Sequence, residues 1–69
     1  MNRPEIPTPD EALHRRILAR AAEINGELLA RLATVADDLD EGLHQAAIGA
    51  LEGAERDIGL LRAVLLLLS

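Results

Sequence analysis

Residues 37–41 read Asp37-Asp38-Leu39-Asp40-Glu41, and this acidic segment decides the fold. Aspartate is unfavourable inside a helix and favourable at its caps, so three aspartates in four residues predict a turn at residues 37–40. The acidic pair Asp40-Glu41 is also typical of the start of a second helix. The segment therefore predicts an all-α chain in which two helices form an antiparallel hairpin. Apolar spacing continues through the segment without a change of phase, so a single long coiled-coil helix is the alternative.

Before the turn, the sequence has the pattern of one long amphipathic helix at about residues 9–38. Its apolar residues fall on one half of a helical wheel, and most of its charged residues fall on the other half. Thr8, Pro9 and Glu11 suit the start of this helix as the N-cap, the first helical residue and the capping-box acid. The pair Asn25-Gly26 favours a turn, so a break there, giving three helices, is a second alternative.

Helix 2 is predicted at about residues 41–68, and its apolar residues form two seams along the helix. Small residues fill both seams in the first half, where glycines share a face with Ala46, and this pattern predicts close packing by another helix. Residues 60–68 are apolar almost all round, apart from Arg62, so one hairpin cannot cover them. We therefore expect this end of helix 2 to contact a second copy or another protein. The residues predicted at the interface are Asn25, Ala46, Gly49, Gly53, Leu60, Leu61, Val64, Leu65, Leu67 and Leu68.

Asn25 is included because it is a polar residue in the apolar half of helix 1, almost at the middle of that helix. Glu55, on the edge of the apolar surface of helix 2, is expected at about the same height in the hairpin. A buried polar layer fixes the register of helices in coiled coils, so Asn25 is predicted at the centre of a dimer.

The chain has 69 residues, of which 49% are hydrophobic and none is cysteine or aromatic. A core this small supplies only about 3–5 kcal/mol, so such chains usually add a disulfide, a metal or an oligomer. Disulfides are excluded here because cysteine is absent. We therefore expect residues 9–69 to form a hairpin that dimerises into a four-helix bundle, preceded by a flexible tail at residues 1–8.

The net charge of −5 disfavours a nucleic-acid partner, because the phosphate backbone is also negative. The cluster of Arg15, Arg16 and Arg20 gives the alternative of a small RNA- or protein-binding regulator. The longest apolar run, residues 63–68, is far shorter than the ~20 residues that span a bilayer, so no membrane span is predicted. Since the N-terminus also lacks the apolar region of a signal peptide, a cytoplasmic protein is expected.

One five-residue pattern occurs twice, as Asp10-Glu11-Ala12-Leu13-His14 and as Asp40-Glu41-Gly42-Leu43-His44. Both copies contain Glu-x-x-His, the spacing that presents a carboxylate and an imidazole on one helix face in di-iron bundles. His14 and His44 would lie about 30 Å apart in one hairpin, so they cannot share a site within a chain. In an antiparallel dimer, Glu11 and His14 would instead approach Glu41 and His44 of the partner subunit. Such a cluster suits a divalent transition metal, although a histidine on an apolar helix face is more often an ordinary packed residue.

No arrangement of residues suited to nucleophilic catalysis and no phosphate-binding glycine loop occurs in the sequence. The leading hypothesis is therefore a non-enzymatic protein-interaction or oligomerisation module, acting as a scaffold, adaptor or small regulator. A metal-binding helical bundle is the alternative, and a divalent metal is the one cofactor considered.

Overall fold

The computed structural model describes residues 9–69, which form two antiparallel helices, α1 (Pro9–Asp40) and α2 (His44–Leu66). The prediction of an all-α hairpin is confirmed. Helix α1 is continuous through Asn25 and Gly26, which excludes the three-helix alternative, and the turn between α1 and α2 excludes a single long helix. The predicted tail and the predicted Thr8 cap lie outside the described residues.

The turn lies at residues 41–43, later than the predicted residues 37–40, and α2 begins at His44 instead of residue 41. The reason is Gly42, which has a φ of +73°, a conformation that favours glycine. The Gly42 N–H donates to the Leu39 carbonyl at 3.1 Å and the Leu43 N–H to the Asp38 carbonyl at 2.7 Å. These two bonds form a Schellman motif, which satisfies the last carbonyls of α1. A glycine ends the helix, and the three aspartates lie inside its last turn.

The contact between α1 and α2 is a seam of residues spaced alternately three and four apart on each helix, as in coiled-coil packing. Ile24 is fully buried at its centre, and Ala21, Ala47 and Ala54 are also buried. The buried and half-buried residues from this seam are Ile17, Ala21, Ile24, Leu28, Val35 and Asp38 of α1, and Ala47, Ala50, Ala54, Asp57, Leu61, Val64 and Leu68 of α2 and its C-terminal turn.

The hairpin is a single layer of helices. Its Cα atoms extend 62 × 23 × 11 Å, and the smallest dimension is about the diameter of one helix. Domains bury their apolar surfaces between at least two layers, so one layer leaves a face uncovered. Neither of the described helices is long and apolar enough to cross a membrane.

Candidate functional site

An ion pair between the helices identifies one face of the hairpin. The Arg31 Nε–H donates to Asp57 Oδ2 at 2.6 Å, and Asp57 is only 7% exposed. The Arg31 side chain reaches this carboxylate across Gly53, where an added Cβ would lie 2.5 Å from Arg31 Nη1 and 3.0 Å from Cζ. The absence of a side chain at Gly53 therefore makes room for the guanidinium. Arg31 occupies the seam position between Leu28 and Val35, and its guanidinium lies over Gly53, which precedes the seam residue Ala54 by one position. We call the face of the hairpin that carries Gly53 the polar face.

On its α1 side, the polar face is charged. Arg20 and Glu23 form an exposed ion pair there, with Arg20 Nη1 3.1 Å from Glu23 Oε2. Helical spacing places Arg16, Glu27 and Thr34 on the same side of α1. The α2 side of the polar face carries one exposed arginine, Arg56, among small and aliphatic residues, which include Ala46, Gly49, Leu60 and Leu67.

Each helix carries a second stripe of residues, rotated by about 100° from the seam and again spaced alternately three and four apart. On each helix this stripe follows the seam residues by one position, whereas Gly53 precedes the seam residue Ala54 by one position. Because the two helices run antiparallel, positions one residue after the seam lie on the same side of the hairpin on both helices. The two stripes therefore share the face opposite Gly53, which we call the apolar face. The stripes consist of Leu18, Ala22, Asn25, Leu29, Leu32, Ala36 and Leu39 on α1, and Ile48, Leu51, Glu55, Ile58, Arg62 and Leu65 on α2.

The apolar face is open to solvent in the single chain. Its eight leucine and isoleucine side chains are 42–62% exposed. An open groove of about 360 Å³ runs along α2 at one end of this face, lined by Ile58, Leu61, Arg62, Leu65 and Leu66. Exposed aliphatic side chains that are contiguous on both helices are typical of a surface that another protein covers.

On each helix, the angle between the seam and the stripe on the apolar face indicates what kind of assembly would cover that face. In a four-helix bundle every helix packs against two neighbours, roughly at right angles to each other. The seam supplies one of these contacts within the chain. The stripe on the apolar face, about 100° away around the helix, has the direction that the second contact requires. The position of the stripe on each helix is therefore compatible with a second packing contact on the apolar face.

The residues predicted at an interface are distributed over three parts of the hairpin. Asn25 and Leu65 belong to the apolar face. Leu61, Val64 and Leu68 are half-buried in the seam. Ala46, Gly49, Leu60 and Leu67 lie on the polar face. The close approach expected at Gly53 is made by the Arg31 side chain of the same chain, and a Cβ added at Gly49 would have no neighbour within 4 Å.

The two histidines lie at opposite ends of the hairpin. His14 is near the open end, where it lines a shallow pocket with Leu67 and Leu68, and His44 is the first residue of α2 at the turn. His44 precedes Ile48 by four positions and continues the α2 stripe of the apolar face, whereas His14 precedes Ile17 by three positions and continues the seam. His14 and His44 are exposed, and so are Glu11 and Glu41, the other two predicted metal ligands. Within residues 9–69, no cluster of three or more metal-ligating side chains occurs.

The arginine cluster does not form a uniform basic surface. Arg16 and Arg20 share the polar face with Glu23 and Glu27, and Arg20 is paired with Glu23. Acidic residues interleaved in this way weaken the attraction of this face for a phosphate backbone, and the alternative of an RNA-binding regulator stays a prediction.

Comparison with protein-family models, with curated proteins and with solved structures found no match for this chain. The apolar face is therefore interpreted from its own residues. Its importance was not predicted from the sequence, which pointed to the C-terminal end of helix 2. The signal that could have identified it is the unbroken three-four spacing from Leu18 to Leu39 and from Ile48 to Leu65.

Proposed function

We propose that this chain is a non-enzymatic oligomerisation module in which two copies pack through their apolar faces into a four-helix bundle. The observation that carries the proposal is the apolar face, with eight half-exposed aliphatic side chains in two regular stripes. Burying one such side chain completely is worth about 1.5–3 kcal/mol, so covering this face is a strong driving force for association. As a bundle, the module would serve as a scaffold, adaptor or small regulator.

Light scattering and sedimentation at micromolar concentration test this proposal, with a dimer as the expected result. Ile58→Asp should produce a monomer or an unfolded chain, because burying an unpaired carboxylate in the apolar face is costly. Leu60→Asp is a matched control: Ile58 and Leu60 are 44% and 45% exposed on the same helix, but Leu60 is on the polar face. A monomeric wild-type chain with full helical content, or dissociation by Leu60→Asp but not by Ile58→Asp, would contradict the proposal.

A second candidate function, metal binding between chains, is supported by the position of the two exposed histidines at opposite ends of the hairpin. If two hairpins pack antiparallel, the end with His14 and Glu11 lies beside the partner subunit's end with His44 and Glu41. Imidazole and carboxylate ligands together suit zinc, iron or manganese. Ligation requires neutral imidazole, so affinity should fall as the solution is acidified.

Calorimetric titration with Zn²⁺ and Fe²⁺ tests the metal candidate. Saturable binding is expected for the wild type and should be lost in His14→Ala and in His44→Ala. Ile58→Asp is the informative control, because a site built from two chains should disappear when the dimer does. Retention of binding in that monomeric variant, or heat signals unchanged by either alanine substitution, would eliminate a site between chains.

A further inference from the structure

The stripe that α2 contributes to the apolar face is nearly symmetric about Ile58. Apolar residues lie on both sides of Ile58, and an acid on one side corresponds to a base on the other. Read in order, its central members are Leu51, Glu55, Ile58, Arg62 and Leu65. Leu51 and Leu65 each lie seven residues from Ile58, whereas Glu55 lies three residues before Ile58 and Arg62 four residues after it. Read backwards, the order of apolar residues is therefore kept, and the acid and the base exchange places to within one residue. If a second copy of α2 packs against it in the opposite direction, Ile58 meets Ile58 and Leu51 meets Leu65. Glu55 then lies one residue, about 1.5 Å along the axis, from the level of Arg62, a difference that these long side chains can span.

The stripe that α1 contributes has the same kind of symmetry about Asn25. On either side of Asn25, the members are Ala22 and Leu29, then Leu18 and Leu32. Antiparallel packing of two α1 helices about this point would place Asn25 against Asn25 and the small Ala22 against the large Leu29. Leu18 would meet Leu32. An asparagine facing its own copy can exchange hydrogen bonds across the interface, which is how a buried Asn specifies register in coiled coils.

The two centres of symmetry lie at nearly the same height in the hairpin. Leu67 and Leu68 lie beside His14, and the helices run antiparallel. Asn25 is eleven residues after His14 on α1. The residues of α2 at the level of Asn25 are therefore eleven before Leu67 and Leu68, namely residues 56–57. Ile58 is one or two residues away from that level, a difference of about 1.5–3 Å at 1.5 Å per residue. One rotation axis at right angles to the helices can thus relate both pairs of helices.

We infer that the partner of the apolar face is a second copy of this chain, related by a two-fold axis that passes through the level of Asn25 and Ile58. This inference rests on the proposed function and adds the orientation and register of the dimer. The turn of one hairpin lies beside the open end of the other, α1 packs on α1, and α2 packs on α2. Two Glu55–Arg62 ion pairs between the subunits flank Ile58. A two-fold interface requires a self-complementary surface of this kind.

The other way to stack two apolar faces leaves charges without partners. If both turns were at the same end, α1 would face α2 of the partner subunit at equal height. Glu55 would then lie opposite Leu29, and Arg62 opposite Ala22, both in an apolar interface. Burying a charge without its counter-ion costs several kcal/mol, so the charge pattern selects the antiparallel arrangement.

Charge reversal tests the Glu55–Arg62 pairing. Glu55→Arg alone and Arg62→Glu alone each place like charges together twice per dimer, so each should raise the dissociation constant at least about tenfold. The double variant Glu55→Arg/Arg62→Glu restores opposite charges and should return to within about threefold of the wild type. Sedimentation equilibrium measures all four proteins. If the double variant is as weak as the sum of the single variants, the pairing is wrong.

Cysteine cross-linking tests the register independently, and the chain has no cysteine of its own to interfere. Ile58→Cys should cross-link to itself with a short bifunctional thiol reagent, because the two copies meet at the axis. Leu51→Cys and Leu65→Cys should each fail alone and should cross-link when the two variants are mixed. A monomeric wild type would refute the proposed function itself. A wild-type dimer in which Leu65→Cys cross-links to itself, or Ile58→Cys does not, would refute only the antiparallel register.

Discussion

Gly42 shows how one residue determines where the hairpin turns. Its φ of +73° lies in the left-handed region, in which a Cβ is strained. The two backbone bonds of the Schellman motif exist only if this residue adopts that conformation. The turn therefore depends on the absence of a side chain at one position, and the aspartates that precede it can remain helical.

Gly42→Ala should lower the free energy of unfolding by about 1–2 kcal/mol, the cost of a Cβ in the left-handed region. Urea unfolding followed by circular dichroism at 222 nm is the suitable measurement, because the chain has no Trp or Tyr for fluorescence. Gly49→Ala is the control. Gly49 is helical and has open space around it, so alanine there should raise stability by about 0.5–1 kcal/mol. Equal effects at the two positions would contradict this account of the turn.

The Arg31–Asp57 pair is the residue-scale feature that the sequence did not reveal. The spacing of Glu27 and Arg31 predicts an ion pair within one helix turn, but Arg31 bonds instead to an acid on the other helix. A wheel drawn for one helix contains no information about the partner helix. The pairing depends on the register between α1 and α2 and on the small size of Gly53, and both are properties of the packed hairpin.

At the scale of helices, the last turn of α1 has the wrong charges for its dipole. Asp37, Asp38 and Asp40 lie near the C-terminus of α1, and no basic residue balances them in that turn. The carbonyl end of a helix carries a partial negative charge, so acids there are unfavourable. The first turn, with Asp10 and Glu11, has the favourable charge. The two ends of α1 should therefore respond oppositely to the same substitution.

Asp40→Lys should raise the free energy of unfolding by about 0.3–1 kcal/mol at low ionic strength, since it places a positive charge at the C-terminal end of the helix. Asp10→Lys, at the other end, should lower it by a similar amount. Both effects should shrink as salt is added, because screening weakens charge–dipole interactions. Urea unfolding in buffers of low and high salt measures them. The same sign at both ends would show that the dipole is not the cause.

Much of the helical architecture could be predicted from the sequence. The apolar periodicity gave the length of α1 and its continuity past Asn25, and the acidic segment gave a turn within three or four residues of its true position. The wheel for helix 1 showed one apolar half, whereas the structure divides it into two stripes of different role. Which stripe faces α2 could not be predicted, because the two stripes have similar spacing and composition. The choice depends on contacts such as Arg31 with Gly53, far apart in sequence.

At the scale of the whole molecule, the buried core of one chain is small. Ile24 is the one large side chain that is fully buried among the described residues, and the other buried apolar residues are alanines. More large aliphatic side chains lie on the apolar face than in the centre of the seam. The stability of the fold should therefore come mainly from association.

The melting temperature should accordingly rise with protein concentration, because dimer formation stabilises the folded chain more strongly as the subunit concentration increases. A series from about 1 to 200 μM, followed by circular dichroism, should give a steady increase for the wild type and for Leu60→Asp. Ile58→Asp should melt at a low temperature that does not change with concentration. A wild-type melting temperature independent of concentration would mean that the single hairpin is stable alone.

The single-layer hairpin also has a consequence for how the chain reaches its native state. Its internal contacts join segments on either side of one three-residue turn, so closing the hairpin needs little search and can occur within microseconds. If two copies associate as proposed, the slow event is the collision of two chains, whose frequency depends on the local concentration of the chain. Copies translated close together from the same mRNA would associate quickly, whereas an isolated copy would remain monomeric with the leucines of its apolar face exposed. In the proposed dimer, the rate at which the chain reaches its final assembly would therefore depend on its local concentration.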